Sequence, residues 1–222
     1  MSVRTLDRFV EEPEESDEEL CALSVETTGI HGSPEIIAYI VYFGERSTRG
    51  RGILNEIDSK QIKLKNSHQL SYFLRTSEND ERDLLVFLKD DLKTVRDRQV
   101  KVLTYNGSRF LFPLLRLKAI THEVYEPLRG MCHIDIFSDL VRENIYAETK
   151  NFSTICNLLN VGSTPLLESS QIPELWRDCK AGNLEVRERI FSNSYEKTKR
   201  MCELYKKLEP VTPLQSLNGN IL

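Results

Sequence analysis

Ala22-Leu23-Ser24-Val25-Glu26-Thr27-Thr28-Gly29-Ile30 is the stretch that decides the fold. An apolar run from Leu20 to Val25 ends in a polar turn, Thr-Thr-Gly, and then His31-Gly32-Ser33-Pro34, the punctuation of a strand closing into a loop. Side chains alternate across a strand, so Ser24 and Glu26 share one face and Leu23 and Val25 the other.

Outward from that strand, Glu35 to Phe43 (EIIAYIVYF) is β-rich and apolar enough for a central strand pairing with the first. Residues 44–52 carry three arginines among glycines, which reads as a solvated hairpin tip or a loop that touches phosphate. Ile53-Leu54 and Ile62-Lys63-Leu64 suggest a third strand. Between Asn79 and Arg98, Leu84, Leu85, Phe87, Leu88, Leu92 and Val95 mark one face of a helix, with acids early and bases late. A strand follows from Val100 to Thr104, then Tyr105-Asn106-Gly107 and a helix through Pro113. Arg129 to Phe137 reads as another strand, followed by a helix with Leu140 and Val141. Asn151 to Asn160 forms a further helix with Phe152, Ile155, Leu158 and Leu159 inward. A short helix carries Pro173 and Trp176, and Leu184 to Leu208 is the last long helix.

Four of these segments, in this order, resemble the motifs of the DnaQ-like DEDD 3′–5′ exonucleases and the exonuclease domains of family-B DNA polymerases. The first motif there is Asp-x-Glu-Thr-Thr-Gly, and everything matches except Ser24 at the first acid. Tyr105, Asn106, Gly107, Phe110, Pro113 and Leu115 fit the second motif, with Leu111 at its catalytic Asp. Residues 129–137 resemble the family's Arg-x-x-His-x-Asp-Leu strand, and 172–176 its short helix ending in Trp. In the last helix Asn193 falls at the catalytic Tyr and Lys197 at the catalytic Asp. The resemblance covers residues 20 to 208 and implies an α/β fold, the ribonuclease H-like mixed β-sheet flanked by helices.

The family's chemistry needs two divalent ions roughly 3.5–4 Å apart, held by carboxylates because Mg²⁺ gives up its waters reluctantly. Here the four acidic positions read Ser24, Glu26, Leu111 and Lys197. Only Glu26 keeps its carboxylate, so no metal site and no cofactor are expected, whereas a relative with an intact site uses Mg or Mn. Asp135 reads as a structural acid at a strand end. The resulting expectation is a catalytically inactive, pseudonuclease domain acting as an interaction module. Thr27, Thr28, Gly29, Asn106 and Phe110 are its candidate contacts to a single-stranded nucleic-acid end. The alternative is an active metal-dependent 3′–5′ exonuclease with a rebuilt site from Glu26, Asp135 and Glu196 or Glu203, and a purely structural subunit is a third. A carboxylate in a half-buried cleft needs a counter-charge. Lys197 is therefore expected to pair with Glu26, with Ser24 and Asn106 completing the hydrogen bonds.

Composition narrows the partners. The 222 residues carry a net charge of −4, which argues against a large sequence-independent grip on nucleic acid. The five scattered cysteines lack a Cys-x-x-Cys pair and read as thiols of a reducing compartment. No apolar run approaches a membrane span and no signal peptide opens the chain, so a soluble, cytoplasmic protein without membrane contact is expected. The acidic run 11–19 reads as a linker, which divides the chain into an N-terminal peptide and linker (1–19), one domain (20–208) and a loose C-terminal tail (209–222). Within the peptide, Leu6 and Phe9 resemble two of the four anchors of a sliding-clamp-binding motif, which implies a clamp or another replication or repair protein as partner.

Overall fold

The computed structural model describes residues 20–29, 34–43, 70–75, 81–124 and 128–211, together with the backbone of 220–221. The first strand, β1 (Leu20–Thr27), is central. On one side it pairs antiparallel with β2 (Ile36–Phe43), and β2 pairs antiparallel with β3 (Leu70–Leu74). On the other side it runs parallel to β4 (Lys101–Thr104), which runs parallel to β5 (Cys132–Asp135). Asn220–Ile221 adds β6 antiparallel to β5, giving the order β3-β2-β1-β4-β5-β6. This is the mixed sheet, its first strands antiparallel, that the sequence implied.

Among the described residues five α-helices cover the two faces. α1 (Glu81–Asp97) and α2 (Phe112–Thr121) pack Leu84, Leu88 and Leu115 against Leu23, Tyr39 and Val41. α3 (Phe152–Leu158), α4 (Ile172–Lys180) and α5 (Leu184–Leu208) bring Ile155, Trp176, Phe191 and Leu204 against Ala22, Ala38 and Ile40. Strands buried on both sides read as continuous apolar runs, which is why β2 is almost wholly apolar. α5 starts where Asn183 accepts from the Val186 N–H, and it ends with Lys206 and Lys207 in its last turn, favourable at the negative end of the dipole.

Glu81, in the first turn of α1, is buried and accepts from Ile36 N at 2.6 Å, Lys118 Nζ at 3.0 Å and His122 Nε2 at 2.9 Å. Burial pushes its carboxyl up, but the Ile36 N–H, His122 and Lys118 outweigh burial and hold it below the usual carboxylate range. The result fastens α1 and α2 to the start of β2.

Several expectations need correction. The described third strand is Leu70–Leu74, whereas 53–54 and 62–64 lie outside the described residues, as do 44–52, Leu6 and Phe9. Leu158 is 52% exposed rather than inward, because α3 ends there and its packing rests on Ile155 and Cys156. The helix expected with Leu140 and Val141 is present as a π-helical turn, Ile136–Val141, capped by Asp135. Within the stretch read as a loose tail, Asn220–Ile221 joins the sheet.

Candidate functional site

β1 keeps a regular register on β2 through Glu26, and the register shifts only between Glu26 and Thr27, where β2 carries the extra residue Ile37. Glu26 is turned toward α5 and is 4% exposed. Lys197 Nζ donates to both its oxygens, at 2.8 and 3.0 Å. Ser194 Oγ adds a bond at 3.0 Å and Asn193 Nδ2 one at 3.3 Å. Residues 193, 194 and 197 lie on one stripe of α5 because positions three and four apart are helical neighbours. One helix therefore brings one cation and two neutral donors to a single carboxylate. The Lys197–Glu26 pair forms as expected, but its supporting donors are Asn193 and Ser194 rather than Ser24 and Asn106, which share no hydrogen bond with Glu26 among the described residues.

Asn193 also accepts from Leu167 N at 2.8 Å, joining Glu26 to the loop after α3. That loop is fixed to α5 at two further points. Arg200 donates to Thr164 O and to Glu196 Oε1, and Lys207 donates to Leu159 O and Asn160 O. Gly162, at φ +69°, gives the Arg200 guanidinium its space, since a Cβ there would lie 2.2 Å from Nε. Beside the loop, a cavity of about 460 Å³ runs from Thr164 to Gln171 along the Arg189–Glu196 face of α5.

The remaining candidate residues make contacts within the domain. Thr27 Oγ1 donates to Gly29 O, and Thr28 Oγ1 accepts from Glu35 N, linking the end of β1 to the residue before β2. Leu111 is 8% exposed and belongs to the apolar cluster with α1 and α2, as does the half-buried Phe110. Asn106 is left-handed (φ 60°) with its amide oxygen buried and unpartnered. Its N–H donates to Asp135 Oδ1 at 2.7 Å, and Ser108 N donates to Oδ2 at 2.9 Å. Asp135 thus ties the β4–α2 turn to β5, the structural role expected of it. Gly107 is required in that turn, because a Cβ would stand 2.0 Å from Thr104 Oγ1. Ser194 was not singled out in the sequence, and its signal is its place one residue after Asn193 and three before Lys197.

Buried His133 lies 2.8 Å from Thr104 Oγ1 and packs edge-on against Phe112. Burial pushes its pKa down from 6.5 to about 4, with nearby Asp135 opposing. The native state then stays neutral at this imidazole while the unfolded chain takes up a proton below pH 6.5. Its contribution is complete above pH 6.5 and is lost as pH falls toward 4, at up to about 1.4 kcal/mol per unit. Urea midpoints of wild type and His133→Gln should converge across that window, and parallel curves would remove His133 as the cause.

A single carboxylate already bound by an ammonium, with a serine hydroxyl and an amide as its other partners, is a donor set that does not suit a hard divalent cation. Among the described residues no group of three or more His, Cys, Asp or Glu side chains is placed to hold a metal ion. The model of the RNase H superfamily matches residues 23–209, from the middle of β1 to just past the end of α5. The chain belongs to the RNase H superfamily. In this RNase H-superfamily domain the matched span carries Glu26 on its first strand and Lys197 on its last helix. No curated protein matches the chain. No helix among the described residues is long and apolar enough to cross a membrane.

Proposed function

We propose that this RNase H-superfamily domain is a pseudonuclease, an exonuclease-like fold that holds a nucleic-acid end, or a replication or repair protein, without cutting. The observation that carries the reading is the Lys197 ammonium on the Glu26 carboxylate, a fixed cation at the position where the resemblance puts a metal ligand. Of the four acids that a rebuilt site would draw on (Glu26, Asp135, Glu196 and Glu203), three are already committed. Glu26 accepts four hydrogen bonds, Asp135 is occupied by backbone N–H groups, and Glu196 is paired with Arg200 at 3.0 Å. The hydroxyl-closed turn at 27–29 and the Asn106 turn, both kept in shape, support a retained binding role.

Single-stranded DNA and RNA incubated with Mg²⁺ or Mn²⁺ should remain full length, and calorimetry with either ion should show no stoichiometric binding. Metal-dependent shortening from the 3′ end that is lost in Glu26→Gln would replace this reading with an active nuclease. Binding to a single strand should weaken as salt rises, because phosphate contacts release counterions.

A further inference from the structure

Among the described residues, four buried side-chain polar atoms have no hydrogen-bond partner, and three lie at one corner of the molecule: Tyr72 Oη, Arg75 Nε and Arg187 Nε. Packing brings them together. The Phe191 ring meets the Tyr72 ring edge-on at 4.7 Å, and Arg187 precedes Phe191 by one helical turn on the same stripe of α5. Arg75, just past β3, places its guanidinium 5.8 Å from the Trp176 ring centre, and Lys180 approaches the same ring at 5.5 Å.

Among the described residues the charges at this corner do not balance. Arg75 is paired with Glu35 at 3.0 Å, and the nearby Glu26 is committed to Lys197. Arg187 has no hydrogen-bonded acceptor among the described residues, although its Nε is buried. The Tyr72 phenol is 5% exposed and unpartnered, which is costly, and Arg187 is half-buried with its Nε shut away from water. A trapped water satisfies a hydroxyl but leaves the guanidinium charge unmatched; an oxyanion answers both. Arg187 also lowers the proton affinity of the Tyr72 phenol that burial raises, so the two groups sense each other.

We infer that Arg187 and Tyr72, flanked by Arg75, form a phosphate-binding corner. Tyr72 is in register with Ile40 and so with Ser24, two strands and about 10 Å away on the same face of the sheet. Arg187 lies ten residues, about 15 Å, before Lys197 on α5. The phosphate group is supplied by an internal phosphodiester of a single strand whose end reaches Glu26 and Lys197, or by free phosphate. The first source rests on the proposed nucleic-acid reading.

The test uses the full chain. Inorganic phosphate is titrated calorimetrically, then a short single-stranded oligonucleotide over a range of salt, for wild type, Tyr72→Phe and Arg187→Gln. Tyr72→Phe keeps the ring packing and removes only the hydroxyl. It should remain folded and bind phosphate about tenfold more weakly, the worth of one charge-assisted hydrogen bond. Arg187→Gln should weaken the oligonucleotide and flatten its salt slope by about 0.7, the value for one phosphate contact on a single strand. Wild type that takes up no phosphate at tens of millimolar, or variants that bind it as wild type does, would overturn the corner. Phosphate binding that the oligonucleotide does not compete for assigns the corner to free phosphate and separates it from the strand. Cleavage by wild type with an intact corner would instead overturn the pseudonuclease reading alone.

Discussion

Asp135→Ala is expected to cost about 4 kcal/mol, a large part of the margin of an ordinary domain. The carboxylate is 1% exposed. Oδ1 accepts from Asn106 N and Phe137 N at 2.7 and 3.2 Å, and Oδ2 from Ser108 N and Ser138 Oγ at 2.9 and 3.2 Å. Alanine leaves these donors without acceptors in a place where water does not replace the carboxylate. The turn after β4 and the turn after β5 would lose their common anchor, and β4 and β5 are neighbours in the sheet. Asp135→Asn should cost about half as much, since its amide NH₂ would face a backbone N–H that donates already. Urea denaturation decides the matter. A loss below about 1 kcal/mol for the alanine variant would mean that Asp135 is free to act as a metal ligand after all.

Lys197→Asp should also be costly, about 4 kcal/mol at neutral pH, because it strips a buried carboxylate of its counter-charge and adds a like one. Two carboxylates that close share a proton, so their folded-state affinity for it rises above the unfolded value. A raised carboxyl pKa means the native state binds more protons than the unfolded one, and the penalty shrinks as pH falls toward the ordinary carboxylate range. Wild type, with its ion pair, should show no such gain on mild acidification. Mn²⁺ should raise the melting temperature of the variant and leave wild type unmoved, since only the variant offers paired acids. Cleavage should stay absent, because Ser24 and Leu111 still supply no charge. A variant as stable as wild type at neutral pH would show that the pair contributes nothing to the fold.

Local pattern carried much of this molecule into view. β1, β2 and α1 follow their apolar periodicity, and α5 spans Leu184–Leu208 as its pattern implies because Asn183 supplies a cap at one end. The motif register likewise placed Glu26 and Lys197 opposite each other. What escaped is non-local. β3 is five residues long, and Leu-Ser-Tyr-Phe-Leu becomes a strand only by lying against β2. The place of Asn193 was legible, but its partners, Leu167 and Glu26, are 26 and 167 residues away. Ser194 carries no motif, and its hydroxyl matters only because strand alternation puts the Glu26 carboxylate on the face that α5 covers. Tyr72 reaches α5, one turn from Arg187, through an aromatic contact with Phe191 that no sequence spacing announces.

The burial of Leu111 has a consequence for descent. On the pseudonuclease reading, a lineage that lost catalysis would need an acid at Leu111, at Ser24 and at Lys197 to regain it. An acid at Leu111 places a charge in an apolar cluster that is 8% exposed at that position, with no cation beside it until a metal can bind. An acid at Lys197 strands Glu26. Each first step lowers stability, and none restores turnover by itself, so selection has no graded path back. The ion pair works as a ratchet, and descendants of such a chain are expected to diversify their surfaces while the site stays shut.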